Sequence, residues 1–91
     1  MARKTATKTA SVNLHGLKEF EARAKLNEVL DRLPSDVKIL KVIHGFHGGQ
    51  VLMNMVRNEY YHYRIDYVQP LYANDGETWY YLKNDIFFEQ F

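Results

Sequence analysis

The stretch "DVKILKVIHGFHGG" at residues 36–49 decides the fold class of this chain. Its first eight residues are rich in β-branched side chains and nearly continuous in apolar character, which is typical of a strand buried on both faces in a parallel sheet. His44 and Gly45 follow directly, and Gly48 and Gly49 come shortly after. Glycines at this place indicate a sharp bend or the close approach of a ligand. The stretch therefore predicts an α/β protein with a glycine loop after a buried strand.

Helical patterns flank this strand on both sides. Residues 18–33 predict a helix that is ended by Pro34. Its apolar residues fall on one stripe at helical spacing, which consists of Ala22, Leu26, Val29, Leu30 and Leu33. After the glycine loop, residues 50–61 predict a second helix with Met55 and Val56 facing inward.

Three further stretches predict strands. "SVNL" at residues 11–14 precedes the first helix, and "YRIDYVQP" at 63–70 and "ETWYYLK" at 77–83 follow the second. Asp75-Gly76 is a strong turn signal between the last two strands. The order β-α-β-α-β-β predicts a two-layer α/β sandwich with a mixed four-stranded sheet and two helices, in which the first two strands are parallel neighbours.

Charge and polarity divide the 91 residues into one small domain with two tails. Residues 1–10 predict a flexible basic arm, residues 11–83 the folded domain, and residues 84–91 an apolar C-terminal tail. The cations of the arm are Arg3, Lys4 and Lys8. They can add affinity for phosphates, although a solvated, disordered terminus is the alternative.

The C-terminal tail is more apolar than most chain ends. Its apolar residues are Ile86, Phe87, Phe88 and Phe91. It either packs back on the domain or contacts a protein partner.

Composition excludes several classes of function. The chain has no cysteine, so a disulfide, a thiolate metal site and a cysteine nucleophile are all ruled out. No apolar run approaches the roughly 20 residues of a membrane span, and no membrane partner is predicted. We expect a cytoplasmic protein.

His-Gly occurs twice, in "NLHG" at residues 13–16 and in "VIHG" at residues 42–45. Each pair comes after a predicted strand and before a predicted helix. Because ligands of open α/β sheets bind beyond the carboxyl ends of the strands, we expect His15 and His44 to emerge side by side at one edge. Helix N-termini and glycine amides there would favour an anion, and His47 would line the rim. Either pair alone is explained by a turn; the two at matched places favour a functional site.

These two motifs resemble the Smr (small MutS-related) domain family. That family has Leu-Asp-x-His-Gly before its first helix and His-Gly-x-Gly-x-Gly before its second, and the resemblance covers roughly residues 11–83. It implies a two-layer α/β sandwich similar to the C-terminal domain of translation initiation factor three. It also implies a nucleic-acid-binding module, and several members are nicking or RNA-cleaving endonucleases.

Carried onto this chain residue by residue, the resemblance implies a site of Asn13, His15, Gly16, His44, Gly45, Gly48 and Gly49. Two departures weaken the catalytic part. Asn13 replaces the family aspartate, and an amide cannot act as a general base or as a charged metal ligand. In the glycine loop, either His47 replaces the second glycine or one residue is inserted.

Three hypotheses follow. The first is a domain that binds RNA or DNA through its backbone at the two His-Gly loops. The second is an endonuclease in which His15 and His44 share acid, base and charge-stabilising roles. The third is a protein-interaction adaptor that uses the apolar tail. No ligand spacing is diagnostic of a metal site, so no metal ligands and no cofactor are predicted, and participation of Mg²⁺ is left open.

Overall fold

The computed structural model describes residues 8–46 and 50–83. Its elements follow the predicted order, except that the second helix changes type partway along. The bounds are β1 Thr9–Asn13, α1 Glu19–Arg32, β2 Ile39–Ile43, α2 Val51–Asn54, a π-helical segment Met55–Glu59, β3 Ile65–Pro70 and β4 Glu77–Leu82.

The first strand begins earlier than the sequence predicted. Thr9 and Ala10, which we assigned to the flexible arm, pair with β2 in the parallel ladder. The carbonyl of Lys8 extends this pairing by accepting a hydrogen bond from the amide of Lys38 at 2.9 Å. Residues 1–7 of the predicted arm and the whole predicted tail, residues 84–91, lie outside the described residues.

The sheet is mixed and four-stranded, as predicted, with the order β1-β2-β4-β3. The strands β1 and β2 are parallel neighbours, whereas β4 is antiparallel to both β2 and β3. Because β4 lies between β2 and β3, it separates two strands that run in the same direction. Asn13, Ile43 and Glu77 form one row at the edge of the sheet where β1 and β2 end.

Among the described residues, α1 and the second helix pack on the same face of the sheet and form the second layer of the fold. The buried cluster joins alternate residues of the strands to the apolar stripe of α1 and to Met55 and Val56. Tyr80 is fully buried, and its hydroxyl donates to the carbonyl of Val56 at 2.7 Å. Each fully buried large apolar side chain contributes about 1.5–3 kcal/mol, so this single cluster holds the two layers together.

The opposite face of β2 departs from the prediction of a strand buried on both sides. Leu40 and Val42 are fully buried on the helix side; on the opposite face Ile39 is buried, but Lys41 and Ile43 are only half-buried. The reason is that α1 and the second helix cover one face only in the part of the chain that the structure describes.

Candidate functional site

The two His-Gly turns meet at one edge of the sheet. Asn13 is paired with Ile43 in the parallel ladder, and the amide of Leu14 donates to the carbonyl of Ile43 at 2.7 Å. His15 and His44 therefore leave neighbouring strands at the same edge. We call this edge the histidine rim; its members are Asn13, His15, Gly16, His44 and Gly45, together with Gly76, which joins it from the turn before β4.

Gly45 is in direct contact with the His15 ring. Its φ is +81°, and a Cβ added there would lie 2.5 Å from Cδ2 of His15. Gly16 also has a positive φ, +89°, but, its chain neighbours apart, no atom of the described residues lies within 4 Å of an added Cβ. Both glycines therefore supply a backbone conformation that L side chains rarely adopt, and only Gly45 also makes room for the neighbouring imidazole.

The turn before β4 closes over the second His-Gly pair. The carbonyl of Gly76 accepts hydrogen bonds from two successive amides, that of His44 at 2.9 Å and that of Gly45 at 3.0 Å. The Gly45 amide, which we expected to face a phosphate, is thus already occupied within the fold.

His44 is a buried, fully engaged side chain that is only 3% exposed. Its Nε2 lies 2.8 Å from the hydroxyl of Thr78, and its Nδ1 lies 2.9 Å from the carbonyl of Gly45. Since a carbonyl only accepts, Nδ1 carries the proton and donates to Gly45. Nε2 then accepts from the Thr78 hydroxyl.

Arg57, in the π-helical segment, extends this series of hydrogen bonds. Its Nε donates to the Thr78 hydroxyl oxygen at 2.7 Å, and its Nη2 donates to the carbonyl of Glu77 at 3.1 Å. Burial has the largest effect and lowers the pKa of His44; the hydrogen bond to the Gly45 carbonyl raises it by less, and the nearby Arg57 charge lowers it by a still smaller amount. The geometry therefore holds His44 as a neutral imidazole with both ring nitrogens in use.

His15 has the opposite environment, because it is exposed at the surface of the histidine rim. Its backbone amide donates to Oδ1 of Asn13 at 2.9 Å, which closes a local side-chain turn. An aspartate could accept the same bond. Asn13 thus keeps the turn that the family aspartate would make, but without its charge.

The start of α1 is less favourable to an anion than the sequence suggested. A carboxylate oxygen of Glu21 accepts the amide of Lys18 at 2.9 Å, and Glu19 adds a second acid to the first turn. These carboxylates already complement the positive end of the helix dipole. Any anion at the histidine rim therefore depends on side chains more than on this helix terminus.

Comparison with solved structures places this architecture among known folds. The chain superimposes on the crystal structure of the Smr domain of Thermus thermophilus MutS2 with a TM-score of 0.70 and 22% sequence identity. The match covers 81% of this chain and 98% of that one. This chain has the fold of an Smr domain. No protein-family model and no curated protein matches it, so the structural likeness establishes the Smr fold alone.

Within this Smr fold, the other predicted site residues are placed as follows. Lys8 precedes β1 and His15 follows it, so at least the five residues of this strand, about 17 Å, separate them, and the Lys8 ammonium pairs with Asp36 at 2.8 Å. The remaining predicted contacts lie outside the described residues; they are Arg3, Lys4, His47, Gly48 and Gly49.

His62, the fourth histidine of the chain, is a buried residue. It is 8% exposed, its Nε2 lies 2.9 Å from Asp31, and its Nδ1 accepts the amide of Arg64 at 3.1 Å. These partners tie α1 to the segment before β3. His62 is therefore a structural residue of the Smr fold, away from the histidine rim.

Arg57 and Thr78, which support the rim, were not among the predicted site residues. Thr78 lies in the row beside Val42 on β4, and the alternation of that strand was the signal that could have placed it inward. Arg57 reaches it from a π-helical segment, which departs from the 3.6-residue period on which the helix prediction relied.

The described residues contain no cluster of three or more His, Cys, Asp or Glu side chains that could hold a metal ion. In the same part of the chain, no helix combines the length and the apolar character that crossing a bilayer requires.

Proposed function

We propose that this chain is a nucleic-acid-binding module whose histidine rim contacts the phosphate backbone of RNA or DNA. The observation that carries the proposal is the exposed His15 imidazole, held against Gly45 at the edge where β1 and β2 end. Ligands of open α/β sheets bind at such an edge. The Smr fold, and the nucleic-acid binding that the motif resemblance implies, support the same function.

In this mechanism, the side chain of His15 is the direct contact. An imidazole N–H donates to a phosphate oxygen, and hydrogen bonds that involve a charged partner are roughly twice as strong as neutral ones. Asn13 fixes the backbone of His15 through its 2.9 Å bond to the His15 amide. Arg57, Thr78 and His44 hold the neighbouring turn and do not need to touch the ligand.

Binding is favoured over cleavage by the environment of His44. A general base must reach the proton that it removes, but His44 is buried and both of its ring nitrogens are engaged. The neutral Asn13 supplies no base either. The endonuclease hypothesis stays as an alternative that the experiment below tests, with Mg²⁺ as a variable.

The experiment compares His15→Ala with Asn13→Asp in fluorescence anisotropy against labelled single-stranded RNA, hairpin RNA and DNA of one sequence. His15→Ala is expected to weaken binding by about 10- to 100-fold, the loss of one hydrogen bond to a charged group. Asn13→Asp keeps the turn and the His15 ring but adds a carboxylate beside the proposed phosphate contact, so it is expected to weaken binding by like-charge repulsion. Equal affinity of His15→Ala and the wild type would contradict the role of the rim.

The same samples are then incubated with and without Mg²⁺ and resolved on denaturing gels. Cleavage products that disappear in His15→Ala, and in His44→Ala under conditions where urea unfolding shows that variant to be folded, would support the endonuclease. Binding without products under every condition supports the module proposed here.

Two predictions concern the two ends of the chain, which apart from Lys8 lie outside the described residues. Replacing Arg3, Lys4 and Lys8 is expected to lower the salt slope of RNA affinity by up to about two to three units if each neutralises a phosphate. The adaptor hypothesis rests on residues 84–91, and a partner lost from a pull-down on their deletion, with stability unchanged, would support it.

A further inference from the structure

The face of the sheet opposite the helices carries aromatic side chains. We call it the open face and define it by Lys41, Tyr67, Gln69, Trp79 and Tyr81. The strand register places Lys41 beside Trp79, Tyr67 beside Tyr81 and Gln69 beside Trp79. None of the five belongs to the buried cluster that both helices join.

The rings of the open face are held by one another. Tyr67 and Tyr81 stack with centroids 4.7 Å apart and an interplanar angle of 3°, and Trp79 lies 6.5 Å from Tyr81 at 45°. The Nζ of Lys41 lies 4.7 Å from the Trp79 ring centroid. Tyr67 nonetheless stays 52% exposed. The face therefore presents ordered aromatic rings that lose little conformational freedom on binding.

Charge on the open face favours a polyanion. Lys41 lies in the middle of the face, and Lys83 continues the alternation of β4 two residues beyond Tyr81, where its amide donates to the carbonyl of Arg64. Glu77, at the far end of β4, already accepts the Trp79 indole N–H at 2.6 Å. The aromatic rings are thus interleaved with cations, which suits bases and phosphates in alternation.

The open face is continuous with the histidine rim. Glu77 is paired with Ile43 in the row that ends at the rim, and Tyr81 lies four residues further along β4. Four residues of strand span about 13 Å. Two or three bases can stack on aromatic side chains across a sheet of this size.

We propose that the open face binds single-stranded nucleic acid by stacking bases on Tyr67, Trp79 and Tyr81, with Lys41 next to the backbone. This proposal rests on the proposed nucleic-acid function and extends it, because it adds a second surface that holds bases where the rim holds phosphate. A duplex, whose bases are already stacked on each other, is excluded from this mode.

Trp79 makes the test direct, because it is the only tryptophan of the chain. The full chain is titrated with single-stranded oligouridylate of about ten nucleotides while tryptophan emission and anisotropy of a labelled copy are both recorded. We expect emission to be quenched in proportion to binding, and a duplex of the same length to leave emission unchanged. Tyr67→Ala is expected to weaken single-strand binding by about 5- to 150-fold, the loss of one stacked base.

Tyr61→Ala is the matched control, since Tyr61 is 74% exposed but lies in the loop before β3. It should bind as the wild type does, and urea unfolding of both variants checks that they are folded.

The outcomes separate the two proposals. If no nucleic acid binds the chain, the proposed function fails and this inference fails with it. If nucleic acid binds, but Trp79 emission does not change and Tyr67→Ala retains wild-type affinity, only the open-face proposal is overturned. That result would assign the face to another occupant, such as the C-terminal tail or a protein.

Discussion

The two His-Gly turns share a dipeptide and a backbone conformation, yet their histidines have opposite environments. Gly16 and Gly45 both have a positive φ, +89° and +81°, but His15 is exposed while His44 is 3% exposed. The difference comes from strand order. Within residues 8–46 and 50–83, the edge strand β1 has one neighbouring strand, whereas β2 is also flanked by β4, whose preceding turn and Thr78 enclose His44. The same local motif thus yields a surface contact on an edge strand and an internal support on a central one.

The largest expected contrast is in stability. His44→Ala removes a buried ring and takes the acceptor from the Thr78 O–H and the ring donor from the Gly45 carbonyl, so we expect a loss of about 2–4 kcal/mol in the free energy of unfolding. His15→Ala is expected to change it by no more than about 0.5 kcal/mol, as exposed substitutions do. Urea denaturation of the two variants measures both values. Equal losses of stability in the two variants would contradict the difference in burial between His15 and His44.

The glycines provide the next contrast. Alanine at either position adopts a strained positive φ, at about 1–2 kcal/mol. Gly45→Ala also brings a methyl group within 2.5 Å of the His15 ring, so it should cost more than Gly16→Ala and displace His15 from the rim.

Thermal unfolding measures the stability difference, and nucleic-acid affinity reports the displacement. The double variant Gly45→Ala with His15→Ala should recover the part of the cost due to the clash. If Gly16→Ala is the more destabilising of the two single changes, that result would contradict the close contact between Gly45 and the His15 ring.

The smallest effect concerns pH. Burial lowers the pKa of His44 in the folded protein, so below about pH 6.5 the unfolded chain takes up a proton that the folded chain does not. The stability that neutral His44 provides is therefore complete above that pH. It falls as the pH drops toward the lowered folded pKa, by at most about 1.4 kcal/mol per pH unit.

Urea midpoints between pH 5 and 7 test this prediction. The wild type should lose more stability on acidification than His44→Gln, which has no imidazole to protonate. Parallel curves for the two proteins would mean that protonation of His44 does not contribute.

The sequence predicted the layers well because the signals were local. The stripe on α1 and the alternation along β4 each depend only on residues close together in the chain, and both were confirmed. The meeting of His15 and His44 at one edge followed from the parallel order of β1 and β2. The expectations that failed depend on which strands are neighbours in the sheet although they are far apart in the sequence. The burial of His44 depends on β4 lying next to β2, and nothing in "VIHG" indicates that.

The supporting residues were missed for a related reason. Arg57 is a charged residue in a segment with a polar surface, and its inward reach depends on the π-helical geometry of Met55–Glu59. A period of 3.6 residues would have pointed it elsewhere. The open face was likewise not predicted, because alternating aromatic residues indicate a strand but do not show which face of the sheet the helices leave uncovered.

The carbonyl of Gly76 has a consequence for how this domain tolerates changes in chain length. This one oxygen accepts hydrogen bonds from the amides of two consecutive residues in the second His-Gly turn. The connection from β3 to β4 must therefore hold the Gly76 carbonyl at a fixed position. Adding or deleting a single residue between Pro70 and Gly76 would shift that oxygen and release the turn that carries His44. Length variation should therefore be tolerated poorly in this hairpin, even though much of it is exposed.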